Sequence, residues 1–177
     1  MKRLTHLLFG LLLALPSQPA AAQDDILDKI INTPGSTTVT GTKGRSRTDA
    51  GVQGGRALRI AVPRKGANVW DIAASSAIGK PVKSGDTLVL AFWARLHEGE
   101  NGATSAALPY SGIQLATAPY ATVISGPVTI GPEWQLHEVK GKADKDYPAG
   151  ALTATIHLAS GKQVVDLGPV FVLDMGQ

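Results

Sequence analysis

Thr87-Leu-Val-Leu-Ala-Phe-Trp-Ala-Arg95, entered through the turn Lys83-Ser84-Gly85-Asp86, decides the fold class. Its apolar residues fall on both sides of a two-residue alternation, which marks a central strand covered on both faces. Phe92 and Trp93 then point in opposite directions, one of them into the inner core. Working outward, Arg56-Ala-Leu-Arg-Ile-Ala-Val62 alternates with Leu58 and Ile60 on one face, and Pro63 ends it. Further strand candidates lie at 69–78, 103–108, 111–117, 120–130, 134–141, 151–159 and 163–174. Pro109, Pro119, Gly131-Pro132, Tyr147-Pro148-Ala149-Gly150 and Ser160-Gly161 separate most of them. About nine short strands, with no convincing helix beyond residue 31, predict an all-β antiparallel sandwich of jelly-roll type. No repeat of about 20–50 residues is visible, which excludes propellers and solenoids.

The N-terminus reads differently. Met1–Ala22 has a basic start, an apolar run from Leu7 to Leu15, a break at Pro16 and small residues at Ala20, Ala21 and Ala22. These features predict a secretory signal peptide cleaved after Ala22 and a secreted or periplasmic protein. The apolar run is shorter than the ~20 residues a membrane span needs. Residues 23–55 read as an N-terminal segment. It holds a short helix at Ile26, Leu27, Ile30 and Ile31, a stop at Thr33-Pro34-Gly35, then a loop with one weak strand near Thr38 to Thr42. The sandwich domain is expected over 56–177.

Composition narrows the function. The chain has 177 residues, no cysteine and 5% aromatic residues. The lack of cysteine excludes thiol nucleophiles, cysteine-bound metal centres and disulfides. Without Lys2 and Arg3 the balance is 15 basic to 14 acidic residues, too even for an electrostatic nucleic-acid binder. The small basic cluster Lys43, Arg45, Arg47 reads as a mobile loop.

Four stretches, in order, carry a resemblance. They are Arg56–Val62 followed by Asn68-Val69-Trp70-Asp71-Ile72; Val82 to Arg95; Gly131-Pro-Glu-Trp-Gln-Leu-His137; and Leu152 to Leu158 running into Val165-Asp-Leu-Gly-Pro-Val-Phe-Val172. Together they resemble the carbohydrate-binding modules of the superfamily that groups families 4, 9 and 22, over roughly Arg56 to Gly176. The resemblance implies a galactose-binding-like jelly roll that holds polysaccharide of the xylan or β-glucan class. It also implies a partner glycoside hydrolase, here a separate protein, and a monomeric, non-catalytic module. Gly168-Pro169 stands where the family often carries an acidic pair for structural calcium, so the resemblance stops short of that site and no cofactor is assigned.

Sugar rings have an apolar face and a polar rim, so a binder needs an aromatic platform beside polar partners. Trp70, beside Asp71 at a strand start, matches the segment on which the family often stacks a sugar; the alternative is a rim aromatic packed on a loop. In Thr153-Ala154-Thr155-Ile156-His157-Leu158 the threonines and His157 share the face away from the core. There His157 either binds hydroxyls or is simply solvated. Gln114 sits likewise between Ile113 and Leu115. Tyr110 and Tyr120 flank that strand and extend the platform, and Arg95 lines the second face with Trp93. Trp134, alternating with Leu136, reads as core. The gathering of Trp70, Gln114, Tyr110, Tyr120 and His157 on one sheet face is what the family's topology implies.

Catalysis has little support. Glycoside hydrolysis needs two carboxylates about 5–9 Å apart in a cleft; it would require a converging pair among Asp71, Glu98, Glu133, Glu138 and Asp166. No nucleophile elbow, phosphate loop or His-x-x-x-His spacing is present. The other rival is a structural or protein-interaction sandwich of the bacterial cell envelope, which a buried Trp70 and a covered Gln114/His157 face would favour.

Overall fold

A computed structural model describes residues 26–177; the predicted leader at 1–22 lies outside them. Ten strands follow in order: β1 (Thr38–Thr40), β2 (Gly44–Thr48), β3 (Arg56–Val62), β4 (Ala73–Ala77), β5 (Thr87–Gly99), β6 (Ala106–Leu115), β7 (Thr122–Ile130), β8 (Gln135–Lys142), β9 (Leu152–His157) and β10 (Gln163–Asp174). They form two antiparallel five-stranded sheets, β1-β4-β9-β6-β7 and β2-β3-β10-β5-β8. This is the predicted sandwich. Among the described residues no helix is long and apolar enough to cross a membrane.

The core lies between the sheets. From β5, Leu88, Leu90, Phe92, Ala94 and Leu96 face inward and meet Ile113 of β6 with Ala154 and Ile156 of β9 in one buried cluster. On the other face of β5, Val89 and Ala91 are also buried, opposite Leu173 and Phe171 of β10. The two-sided apolar pattern thus has its cause, and Phe92, not Trp93, is the core aromatic.

Three expectations change. Among the described residues the helical turn covers 26–28. Ile30 instead bridges to Leu173, and Ile31 is buried with its amide donating to Val172 O. A helix of one or two turns cannot hold itself against such pairing, because its nucleation cost exceeds its few hydrogen bonds. The segment before Arg56 carries two strands rather than one, and they edge both sheets: β1 pairs with β4, and β2 with β3. Arg45 and Arg47 are therefore strand residues, not part of a mobile loop. Finally, Pro109 does not divide two strands. It lies within β6, at a register shift between Leu108 and Ser111, where a bulge tolerates a residue that cannot donate to the ladder.

Candidate functional site

The outer face of the β1-β4-β9-β6-β7 sheet carries a cleft of about 760 Å³. Its floor follows from strand register. Ala73 and Ser75 of β4 lie opposite His157 and Thr155 of β9, while Thr153 faces Gln114 of β6. Because Ala154 and Ile156 fill the core, the intervening Thr155 and His157 face the cleft, where the Ser75 hydroxyl donates to Thr155 Oγ1 at 3.3 Å.

His157 is not solvated, contrary to one sequence reading. It is only 9% exposed, because its ring stacks on Tyr110 (centroids 4.5 Å, 20°) and meets Trp70 edge-on (6.1 Å, 60°). Its Nδ1 is buried without a hydrogen-bond partner, and burial pushes the imidazole pKa down from 6.5. Tyr110 is fixed in turn by a 3.0 Å hydrogen bond between its hydroxyl and that of Thr122 on β7. Burial raises the Tyr110 pKa, so both rings are neutral near pH 7.

Two aromatics stand up from this floor. Trp70 is 59% and Tyr120 57% exposed. Trp70 lies in a single 3-10 turn, Val69–Asp71, tied to the end of β9: Leu158 N donates to Ile72 O and Ala159 N to Val69 O. The Asp71 carboxylate closes the turn by accepting from Asn68 N at 2.9 Å and Asn68 Nδ2 at 3.2 Å. Those bonds, the backbone one first, hold its pKa below 3.8. Gly41, with φ of +77°, passes so close that a Cβ there would overlap Asp71 O. Tyr120 has φ of +57°, a left-handed conformation that is unusual for a bulky residue and that collects at functional sites.

The structure therefore brings Trp70, Tyr110, Gln114, Tyr120 and His157 into one cleft, and leaves two candidates outside it. Asp71 sits behind the Trp70 turn, facing a separate hollow with Arg64 and Gly66; its oxygens are turned to Asn68. Arg95 is on the opposite sheet, bonded to Asp166 and Asp49 at 3.0 Å each and lying 4.9 Å above the Trp134 ring. Trp134 accordingly packs on that outer face, against Gly51, and not in the inter-sheet core. The parity of β5 is the reason: with Phe92 and Ala94 inward, Trp93 and Arg95 point out.

Sequence reading missed Thr40, Ser75 and Thr122 as cleft residues. Only the Thr155 position was marked, through the alternation of β9. Not one of the cleft's lining residues is Asp, Glu, Lys or Arg. The five carboxylates considered for hydrolysis lie elsewhere. Asp71 closes its turn, Asp166 is fully buried among arginines, Glu138 pairs with Lys140, and Glu98 and Glu133 line no part of the cleft. A second hollow, of about 550 Å³ beside residues 96–104, holds His97, Glu98 and Glu100 but no Trp, Tyr or Phe. Among the described residues no three His, Asp or Glu gather to hold a metal ion.

No protein-family profile and no curated protein sequence matches the chain. Solved structures do. A family 4 carbohydrate-binding module is 20% identical with a TM-score of 0.60, covering 78% of this chain and 94% of that one. The second N-terminal cellulose-binding domain of Cellulomonas fimi β-1,4-glucanase C is 18% identical with a TM-score of 0.60, over 84% and 92% of the two chains. The CBM22-1–GH10 modules of Clostridium thermocellum endo-1,4-β-D-xylanase 10B, complexed with xylohexaose, are 18% identical with a TM-score of 0.51. That alignment covers 84% of this chain and 26% of the xylanase. The fold is thus the β-sandwich of these carbohydrate-binding modules. In the xylanase it is joined to a glycoside hydrolase module.

Proposed function

We propose that this protein is an exported, non-catalytic module that binds an uncharged polysaccharide of the xylan or β-glucan class. The observation that carries the reading is the uncharged cleft with Trp70 and Tyr120 exposed at its sides. Two exposed rings offer platforms for the apolar faces of sugar residues, a use that accounts for leaving so much aromatic surface in water. Thr155, Gln114 and neutral His157 offer hydroxyl, amide and imidazole partners on the floor. A chain of hydroxyls, each able to donate and accept, suits a floor of hydroxyl, amide and neutral imidazole groups. The absence of carboxylates from the cleft supports a holding role, with hydrolysis left to a separate glycoside hydrolase that receives captured substrate. A buried Trp70 would have favoured the envelope-interaction rival, and Trp70 is 59% exposed.

The test is affinity electrophoresis of the purified protein through gels containing xylan, mixed-linkage β-glucan or laminarin, with Trp70→Ala alongside. Retardation by one polysaccharide, lost in the variant, is the expected result. No retardation in any gel overturns the proposal.

A further inference from the structure

The opposite face of the sandwich has the reverse chemistry. A single row of register crosses four strands of the β2-β3-β10-β5-β8 sheet: Arg45 of β2 lies opposite Arg59 of β3, Arg59 opposite Asp166 of β10, and Asp166 opposite Arg95 of β5. Arg47, two residues along β2 from Arg45, joins the same group. Asp166 is fully buried and accepts from all three inner arginines, from Arg59 at 2.8 and 2.9 Å, Arg47 at 2.9 Å and Arg95 at 3.0 Å. Asp49 accepts from Arg95 at 3.0 Å and lies 3.3 Å from Arg47.

These contacts do not exhaust the charge. Four arginines face two aspartates, and Arg45 is exposed with no ion pair among the described residues. Arg47, Arg59 and Arg95 carry roughly fifteen N–H donors between them, and five hydrogen bonds to the aspartates use a third of those. Their side chains remain 22–31% exposed, so unused donors reach solvent. Like charges directly opposite across strands, as in Arg45 and Arg59, destabilise a sheet. Beside the row lies an apolar strip: Trp93 is half-buried, and its cross-strand neighbour Leu136 is 46% exposed.

We propose that this outer face is a second binding surface, specific for the carboxylates of an acidic polysaccharide, a polyuronate. Guanidinium forks match carboxylates bidentately, as Arg59 already does with Asp166. The Trp93–Leu136 strip meets the apolar face of the same sugar residue. A uronate offers both features in one ring, whereas an inorganic anion offers only the charge. The surface acts independently of the uncharged cleft on the other sheet, so the protein bridges a neutral and an acidic glycan.

The probe is polygalacturonate in affinity gels at about 150 mM salt, where diffuse attraction is screened beyond ~8 Å. The variants are Arg45→Gln, Arg45→Gln/Arg47→Gln, Trp70→Ala and a charge-matched control, Lys80→Gln/Lys145→Gln, with melting curves for each. Expected is retardation that falls about fivefold in Arg45→Gln, the upper range for one exposed ion pair, and vanishes in the double arginine variant. Trp70→Ala and the lysine control should bind as the parent does. If the arginine double variant is misfolded, Arg45→Gln alone decides. Absence of retardation, equal loss in the lysine control, or full competition by inorganic phosphate at millimolar concentration each overturns the proposal. Loss in Trp70→Ala does so as well, because it places the polyuronate in the cleft.

Discussion

Asp166→Ala probes the energetics of the arginine face directly. The carboxylate has no exposure and receives four hydrogen bonds from three arginines that belong to β2, β3 and β5. Removing it leaves Arg47 and Arg95 with Asp49 alone and Arg59 with no ion pair among the described residues. Deleting one partner of a buried ion pair costs about 3–5 kcal/mol. Here the arginines are 22–31% exposed and can turn toward water, so the lower end, about 3 kcal/mol, is expected. For roughly 150 folded residues that lowers Tm by about 6–12 °C. Urea unfolding followed by tryptophan fluorescence gives the free energy, and calorimetry gives Tm. Because the carboxylate is buried, more than half of the difference should persist in about 1 M salt, unlike that of a surface pair. A loss below about 0.5 kcal/mol would refute the reasoning, since it is the size of an ordinary surface substitution.

Four further outcomes concern the cleft and its supports, His137 on β8 of the opposite sheet, and export. Burial holds His157 neutral, and a bound sugar buries it further, so protons compete with ligand. Affinity should be constant above pH ~6.5 and fall by at most about tenfold per pH unit below the depressed pKa; His157→Gln titrated by calorimetry should lose that dependence. Burial also lowers the His137 pKa, so stability is fully present above pH ~6.5 and is lost as pH falls, the unfolded chain binding more protons there. Thermal melts at pH 5 and 8 measure this loss. Asp71→Ala frees the Asn68 amide and loosens the Trp70 turn without touching the cleft. Its expected effect is weaker polysaccharide retardation with Tm within about 3 °C of the parent, and unchanged retardation would show that the turn holds itself. For export, intact-mass measurement of protein recovered from the periplasm or medium should show a chain beginning at Gln23, and a retained leader would refute the predicted cleavage.

What the sequence alone determined is whatever depends on local alternation. The stretch 87–95 announced a central strand because both of its faces are apolar, and the alternation in 153–157 announced a polar face bearing Thr155 and His157. Gly and Pro punctuation marked most boundaries, since φ restrictions act within a few residues. The exposed Trp70 was legible through its place between a loop and a strand. Pairing partners were not. The segment 44–48 is too short and polar to read as a strand and became one only because β3 supplied its hydrogen bonds, while the weak strand near Thr38 found its partner β4 only in the fold. Tertiary structure likewise stacked His157 on Tyr110, 47 positions away in the chain, and so buried a histidine that alternation left open as either ligand-binding or solvated. It also sent Arg95 to the opposite sheet and turned Asp71 back on Asn68. Alternation says that a residue leaves the core, whereas only sheet order and register say which outer face receives it and what stands beside it there.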